Sequence, residues 1–170
     1  QRGAIDFDLP EPMLTYNEQG SVTGVTKSVR LFSHRIVEEF MILANEVVAG
    51  HLQENDISSL YRVHEEPDPA KVEEFAEIVR GFGLKFEPKK AQPIEFQKFI
   101  SSIEGRPEER MLSYLMLRSF KQAKYSEDNI GHFGLASDSY THFTSPIRRY
   151  PDLIVHRILK ASMQRRAQPA

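Results

Sequence analysis

The constraint that most narrows what this chain can fold into is the run YTHFTSPIRRYPDLIVHR, residues 140–157, which changes period in mid-course. Tyr140, His142 and Thr144 alternate with Thr141, Phe143 and Ser145, the two-residue period of a strand. At Ser145-Pro146 a helix start takes over, because Ser is a favoured N-cap and Pro suits the first helical position. The N–H groups that open a helix have no partner inside it and carry partial positive charge, so an anion is the expected guest. Arg148 and Arg149 follow at once, with the forked donors that suit a phosphate. Successive helical residues point about 100° apart, so no more than one of the two faces that anion squarely, and the sequence does not choose which. Pro151 either starts the main helix after a single short turn or tightens its first turn. Arg149 and Asp152, three apart, are placed to pair.

The rest of the chain supplies elements to hold that run. Gly3 to Phe7 reads as a strand with Asp6 and Asp8 on one face, a polar edge rather than a metal pair. Met13–Tyr16 and Val22–Thr26 form a hairpin around Asn17–Gly20. From Ser33 to Leu52 the apolar residues Ile36, Phe40, Leu43, Ala44, Val47 and Val48 recur at helical spacing, and Val37 and Met41 widen the stripe, predicting a central, heavily buried helix. Asn45 interrupts it as a hydrogen-bonded core amide. A short strand is expected at Leu60–His64, then a helix over 70–80 capped by Asp68-Pro69. Further helices are expected over 94–104 and 107–122, and extended segments over 131–136 and 139–144. Lys85 to Pro93, with Lys89 and Lys90, reads as a solvated loop, and Arg118, Lys121 and Lys124 as a solvated positive edge. The expected fold is mixed α/β: a single domain over residues 1–170, with an N-terminal hairpin and short strands packed by four to five helices.

Charge matters here by position. The formal net charge is -2 and the pI about 6.3, which does not by itself suggest a nucleic-acid partner. Residues 140–170 nevertheless hold six Lys/Arg against one acid, Asp152, while the preceding residues carry an excess of acid. His132, Phe133, Tyr140, His142 and Phe143 interleave rings near the basic helix start, a composition that suits stacking on unpaired bases. The chain has no cysteine, so disulfides and thiolate metal sites are excluded, and its six histidines lack zinc spacing. No apolar run reaches the roughly 18 residues of a membrane span. No signal peptide opens the chain, and a cytoplasmic location with no membrane partner is the expectation.

Beyond these features, the block HFTSPIRRYPDLIVHR at 142–157, preceded by GHFGLA at 131–136, closely resembles the catalytic (RNB) domain of the ribonuclease II / ribonuclease R family. GAIDFDLPEP at 3–12, HRIVEEFMILAN at 34–45, LYRVHEEPDP at 60–69 and LRSFKQAKYS at 117–126 agree in order. The likeness covers nearly the whole chain and is nearer the ribonuclease R branch. It implies part of a processive 3′-to-5′ exoribonuclease that takes the 3′ end of single-stranded RNA and hydrolyses it to nucleoside 5′-monophosphates. Attack would be by water activated on magnesium (Mg2+) held by an aspartate cluster. Carried onto this chain, the resemblance makes Arg148 the catalytic arginine, has Thr144, Ser145 and Arg149 orient the RNA backbone, and makes Tyr140 and His142 neighbouring RNA contacts. The family's aspartates precede the block that matches GAIDFD. The expectation is therefore a C-terminal portion of an RNB domain without metal ligands, whose parent supplies them together with cold-shock and S1 domains. Pro67 stands where ribonuclease II has a base-clamping aromatic residue, so that clamp is not carried over. The alternative class is a non-catalytic RNA-binding or scaffold module, and a third reading is a purely structural fold with its arginines internally paired.

Overall fold

The structure is a computed structural model, and it describes residues 3–7, 12–87 and 92–167. Asp8, Lys89 and Lys90 lie outside the described residues. Strands β1 (Pro12–Tyr16) and β2 (Val22–Lys27) pair antiparallel as the hairpin expected. Its turn is held by Asn17, whose Oδ1 accepts from the N–H groups of Gln19 and Ser21 at 3.1 and 2.8 Å, while Gly20 takes a φ of +77° that a side chain would resist.

Helix α1 (Phe32–Glu54) follows, then β3 (Tyr61–Val63), α2 (Pro69–Gly81), α3 (Pro93–Ile103), α4 (Glu109–Ser119), β4 (Lys124–Ser126) and α5 (Tyr150–Ala167). The Asp68 carboxylate accepts from Ala70 N–H at 2.8 Å, and Pro69 opens α2, so the cap forms as read. The main core joins α2, α3 and α4 through Val72, Phe75, Val79, Phe96, Phe99, Ile103, Leu112 and Met116. Phe86 is buried among the rings of Phe75, Phe96 and Phe99, with centroids 5.0–5.3 Å away in tilted or edge-on geometry, the arrangement that aromatic quadrupoles favour. On α4 the buried side is Leu112, Ser113 and Met116, while Met111 is exposed.

Three expectations fail, and for related reasons. Residues 3–7 form no strand: Ile5 N–H reaches Gly134 O at 2.8 Å, and Asp6 accepts from Arg30. Residues 140–144 join no ladder either. Arg62 N–H donates to Tyr140 O at 2.8 Å, but the Thr141 hydroxyl then donates to Leu60 O and Phe143 N–H donates to Asn45 Oδ1, so side chains take the places of strand partners. Residues 131–136 likewise make isolated bridges at His132 and then a 3₁₀ turn over Phe133–Leu135.

The largest departure is α1. Only its C-terminal half is buried, through Val48 and Leu52 against Val155 of α5 and through Ala49 against Tyr61 and Val63. Much of the stripe expected to be central instead faces outward, with Ile36 42% exposed, Phe40 66% and Val47 61%. Helical periodicity reports that a face is apolar, not what covers it.

Asn45 is a satisfied core amide, as read. Its Nδ2 donates to the Tyr140 hydroxyl at 2.8 Å and its Oδ1 accepts from Phe143 N–H at 3.0 Å. Asn45→Ala should lower unfolding free energy by roughly 2 kcal/mol, because it strands a partly buried N–H and hydroxyl. Urea denaturation followed by circular dichroism measures this, and a loss under about 0.5 kcal/mol would show that the clamp is dispensable.

Candidate functional site

The site is built around one carboxylate. Asp152 is fully buried, yet its Oδ1 accepts from Ser145 N–H at 2.8 Å and from an Arg149 terminal N–H at 2.8 Å, and its Oδ2 accepts from Arg149 Nε at 2.9 Å. Three charge-assisted bonds make a buried carboxylate tolerable. The N–H groups of Arg148 and Arg149 both donate to Ser145 O, at 3.2 and 3.1 Å, closing a single turn before α5 begins at Tyr150. Of the two placements open to Pro151, the main helix starting after a short turn is the one observed.

This arrangement separates the two arginines. Arg149 is engaged with Asp152 through the pairing anticipated from their spacing, and its side chain is 23% exposed. Arg148 is exposed, and its guanidinium makes no hydrogen bond or ion pair among the described residues. Beside it stand two exposed side chains that pattern reading did not single out, Ile147 at 98% and Tyr150 at 69%. An isoleucine so fully in solvent beside a free guanidinium was the signal available in the sequence, in the form of an apolar residue between a helix-start proline and a basic pair.

Five of the six predicted contacts converge. A cavity of about 390 Å³ is lined by Tyr140, Thr144, Ser145, Arg148 and Arg149 on one wall, with Asn45, Glu38 and Glu39 of α1 and the segment Ala4–Asp6 opposite. Tyr140 is buried, which raises its pKa, and Asn45 fixes its hydroxyl. His142 is not part of that lining. Its Nδ1 pairs with the Tyr125 hydroxyl at 2.7 Å, and its ring meets the edge of Tyr140 at 5.9 Å. His132 likewise packs against Tyr140, at 5.3 Å. His156 lies flat on Phe143, with ring centroids 4.0 Å apart, and bonds the Phe143 carbonyl.

One member of the lining escaped pattern reading. Arg30 donates to both oxygens of Asp6 at 2.8 Å and also binds Glu38. The hydrogen bonds to Glu38 and Asp6 raise its pKa further. Asp6 lies 24 residues before Arg30, and the chain passes from loop to helix between Arg30 and Glu38, so no single period reveals the cluster. The positive edge expected to be solvated is in part internally paired: Lys121 and Lys124 both reach Glu65, at 2.6 and 2.5 Å, and hold its carboxyl near 2. Among the described residues no group of three or more His, Asp or Glu is gathered to hold a metal ion.

Burial, joined by neighbouring positive charge, pulls the imidazoles of His132 and His142 down to about 4 from an ordinary 6.5. Between those values the unfolded chain binds protons that the folded chain refuses, so this stability is complete above 6.5 and drains as pH falls toward 4. Thermal melts across that window should show Tm dropping with acidification, and a His132→Asn/His142→Asn variant should show a shallower drop. An equal slope in the variant would mean that other groups set the acid sensitivity.

The chain matches the RNB domain family model over residues 1–165. It is 52% identical over 165 residues to ribonuclease R of Aquifex aeolicus, covering 96% of this chain and 23% of that protein. It is 38% identical over 161 residues to Escherichia coli ribonuclease R, covering 94% and 20%. Among solved structures it superposes on Mycoplasma genitalium RNase R in complex with ribose-methylated single-stranded RNA, with a TM-score of 0.86 and 32% identity over 93% of this chain and 25% of that one. Yeast Ssd1, described as a pseudonuclease, gives a TM-score of 0.71 at 26% identity over 84% and 18%. The chain thus spans about a fifth to a quarter of the length of the ribonuclease R proteins it matches. Sequence, fold and the order of the matched blocks agree that the chain belongs to the RNB domain family, on its ribonuclease R branch.

Proposed function

We propose that this chain is part of a 3′-to-5′ exoribonuclease and that its Arg148 meets the terminal phosphodiester of a single-stranded RNA. The observation that carries the reading is the division of labour at Asp152: Arg149 is consumed in positioning the turn, which leaves Arg148 as the free guanidinium on the cavity wall. In hydrolysis a water oxygen bonds to phosphorus, the bond to the 3′-oxygen of the preceding nucleotide breaks, that oxygen takes up a proton, and a nucleoside 5′-monophosphate departs. Arg148 offers preorganised donors to the charge that grows on the phosphate oxygens, a contribution of about 3 kcal/mol for one such donor. Thr144 and Ser145 line the same wall and present hydroxyls to the backbone; Arg149 keeps the turn in register. Tyr140 shapes the cavity floor, and His142 acts through packing on it.

The magnesium used by enzymes of this kind does not fit the described residues, which gather no set of acids to hold it. Its ligands are assigned to the remainder of a longer catalytic domain. That remainder, together with cold-shock and S1 domains, is the proposed partner of this region. It also accounts for the apolar N-terminal face of α1, since exposed patches of this kind mark interfaces. Hydrogen exchange should be slower in α1 when the upstream catalytic-domain residues of the Aquifex aeolicus relative are fused ahead of this chain. Equal exchange would mean that the face is covered by something else.

The likeness to a pseudonuclease favours one second reading, an RNA-binding module without hydrolysis. The two separate in a cleavage assay. The purified chain should bind labelled single-stranded RNA weakly and release no monophosphate with magnesium, whereas monophosphate release would contradict the assignment of the metal ligands elsewhere. In the fused protein Arg148→Ala should lower kcat about 100-fold, and Arg148→Lys should recover little, because the planar fork is lost. Near-normal turnover in either variant removes the proposed role of Arg148.

A further inference from the structure

A second basic cavity lies beside the first. It encloses about 510 Å³ between the end of β2, the start of α1, and α3 with the turn into α4. Lys27, Arg35, Arg106 and Arg110 line it. All four are exposed, and none of their side chains has a hydrogen bond or ion pair among the described residues. Of the acids on its wall, Asp6 binds Arg30, while Glu109, which accepts from Gly105 N–H at 2.6 Å and keeps its charge, and Glu104 have no cationic partner among the described residues. Four unpaired cations against two unpaired acids leave an excess of positive charge whose members repel one another, a cost that an arriving polyanion removes. Arg110 sits in the first turn of α4 and Arg35 in that of α1, where a cation also opposes the helix dipole.

The two cavities share a wall. Asp6 and Arg30 line both, so a strand lying in the Arg148 cavity can continue past Arg30 into the second. We propose that the Lys27, Arg35, Arg106 and Arg110 cavity is a phosphodiester-binding subsite for upstream nucleotides of the same RNA strand. This rests on the reading of the Arg148 cavity as the place of the RNA 3′ end. Four cations without a stacking ring in their midst bind backbone charge and not base identity, so the subsite is indifferent to sequence and sensitive to salt. It makes affinity depend on strand length: a short oligonucleotide fills the first cavity alone, and a longer one engages both.

The test compares Arg106→Ala/Arg110→Ala with the unaltered chain, using a short oligoadenylate and one several times longer across a salt series. For the long strand, affinity should fall at least ~5-fold at low salt, and the slope of log affinity against log salt should shrink by about 0.7 for each phosphate that is no longer neutralised. The short strand should bind as before. Lys27→Ala/Arg35→Ala, on the opposite wall, should reproduce the result if the first variant folds poorly, as circular dichroism would report. Unchanged long-strand affinity in both variants overturns the subsite. So does equal weakening of both strands, or polyglutamate displacing RNA as readily as unlabelled RNA does. Arg148→Ala separates this proposal from the one it builds on. Loss of short-strand binding in that variant, with no effect of the two double variants, would keep the first cavity and remove the second. The converse would keep the second and remove the assignment of Arg148.

Discussion

The interaction on which the rest of the site depends is the buried Asp152 carboxylate and its three donors. A carboxylate out of water is costly unless its oxygens are satisfied, and satisfying them here dictates geometry. One oxygen must meet Ser145 N–H, which pins the turn; both must meet Arg149, which folds that guanidinium back onto the protein. Arg148, one residue earlier, is then left on the outside of the turn by helical geometry alone. Two adjacent arginines of equal chemistry acquire different tasks because a single acid three residues further on can hold only the second.

Asn45 performs a related task from the other direction. Its two bonds attach Tyr140 and Phe143, on the loop before the turn, to α1. Together with the Thr141 hydroxyl on Leu60 O, they hold a segment that has no ladder of its own. The cavity therefore has walls from distant parts of the sequence whose relative placement is set by a few polar contacts and not by a sheet. Such contacts are directional, so the separation between Arg148 and the α1 wall is held more tightly than apolar packing alone would hold it.

What was legible in the sequence follows the range of the forces involved. Helices α2 and α3 are set by local periodicity and by the Asp68-Pro69 cap, and they appear where those signals place them. The Arg149–Asp152 pair is also local. The misread strands at 3–7 and 140–144 have strand composition, but their hydrogen bonds go to Gly134, Asn45 and Leu60, partners more than 80 residues away, which no short window contains. The α1 stripe fails differently. Its periodicity is correct as a helix, but the burial inferred from it assumes a covering surface that these residues do not supply. The Arg30 cluster left no local trace at all, since Asp6, Arg30 and Glu38 meet only after the chain has folded.

That cluster also resolves an apparent conflict between a net acidic chain and an anionic ligand. Acids on the α1 side of the cavity would repel phosphate, but Arg30 bonds both Asp6 and Glu38 and offsets one of their two charges, while Arg148 stands unpaired on the cavity wall. Coulomb interactions at the surface decay within a Debye length of about 8 Å at physiological salt. Net charge is therefore a poor guide to what a phosphate meets in the cavity; the unpaired guanidinium nearest to it is a better one. Pairing within the fold thus acts as a filter on the charges around the cavity, engaging Arg30 and Arg149 and leaving Arg148 uncancelled on the wall that faces open space.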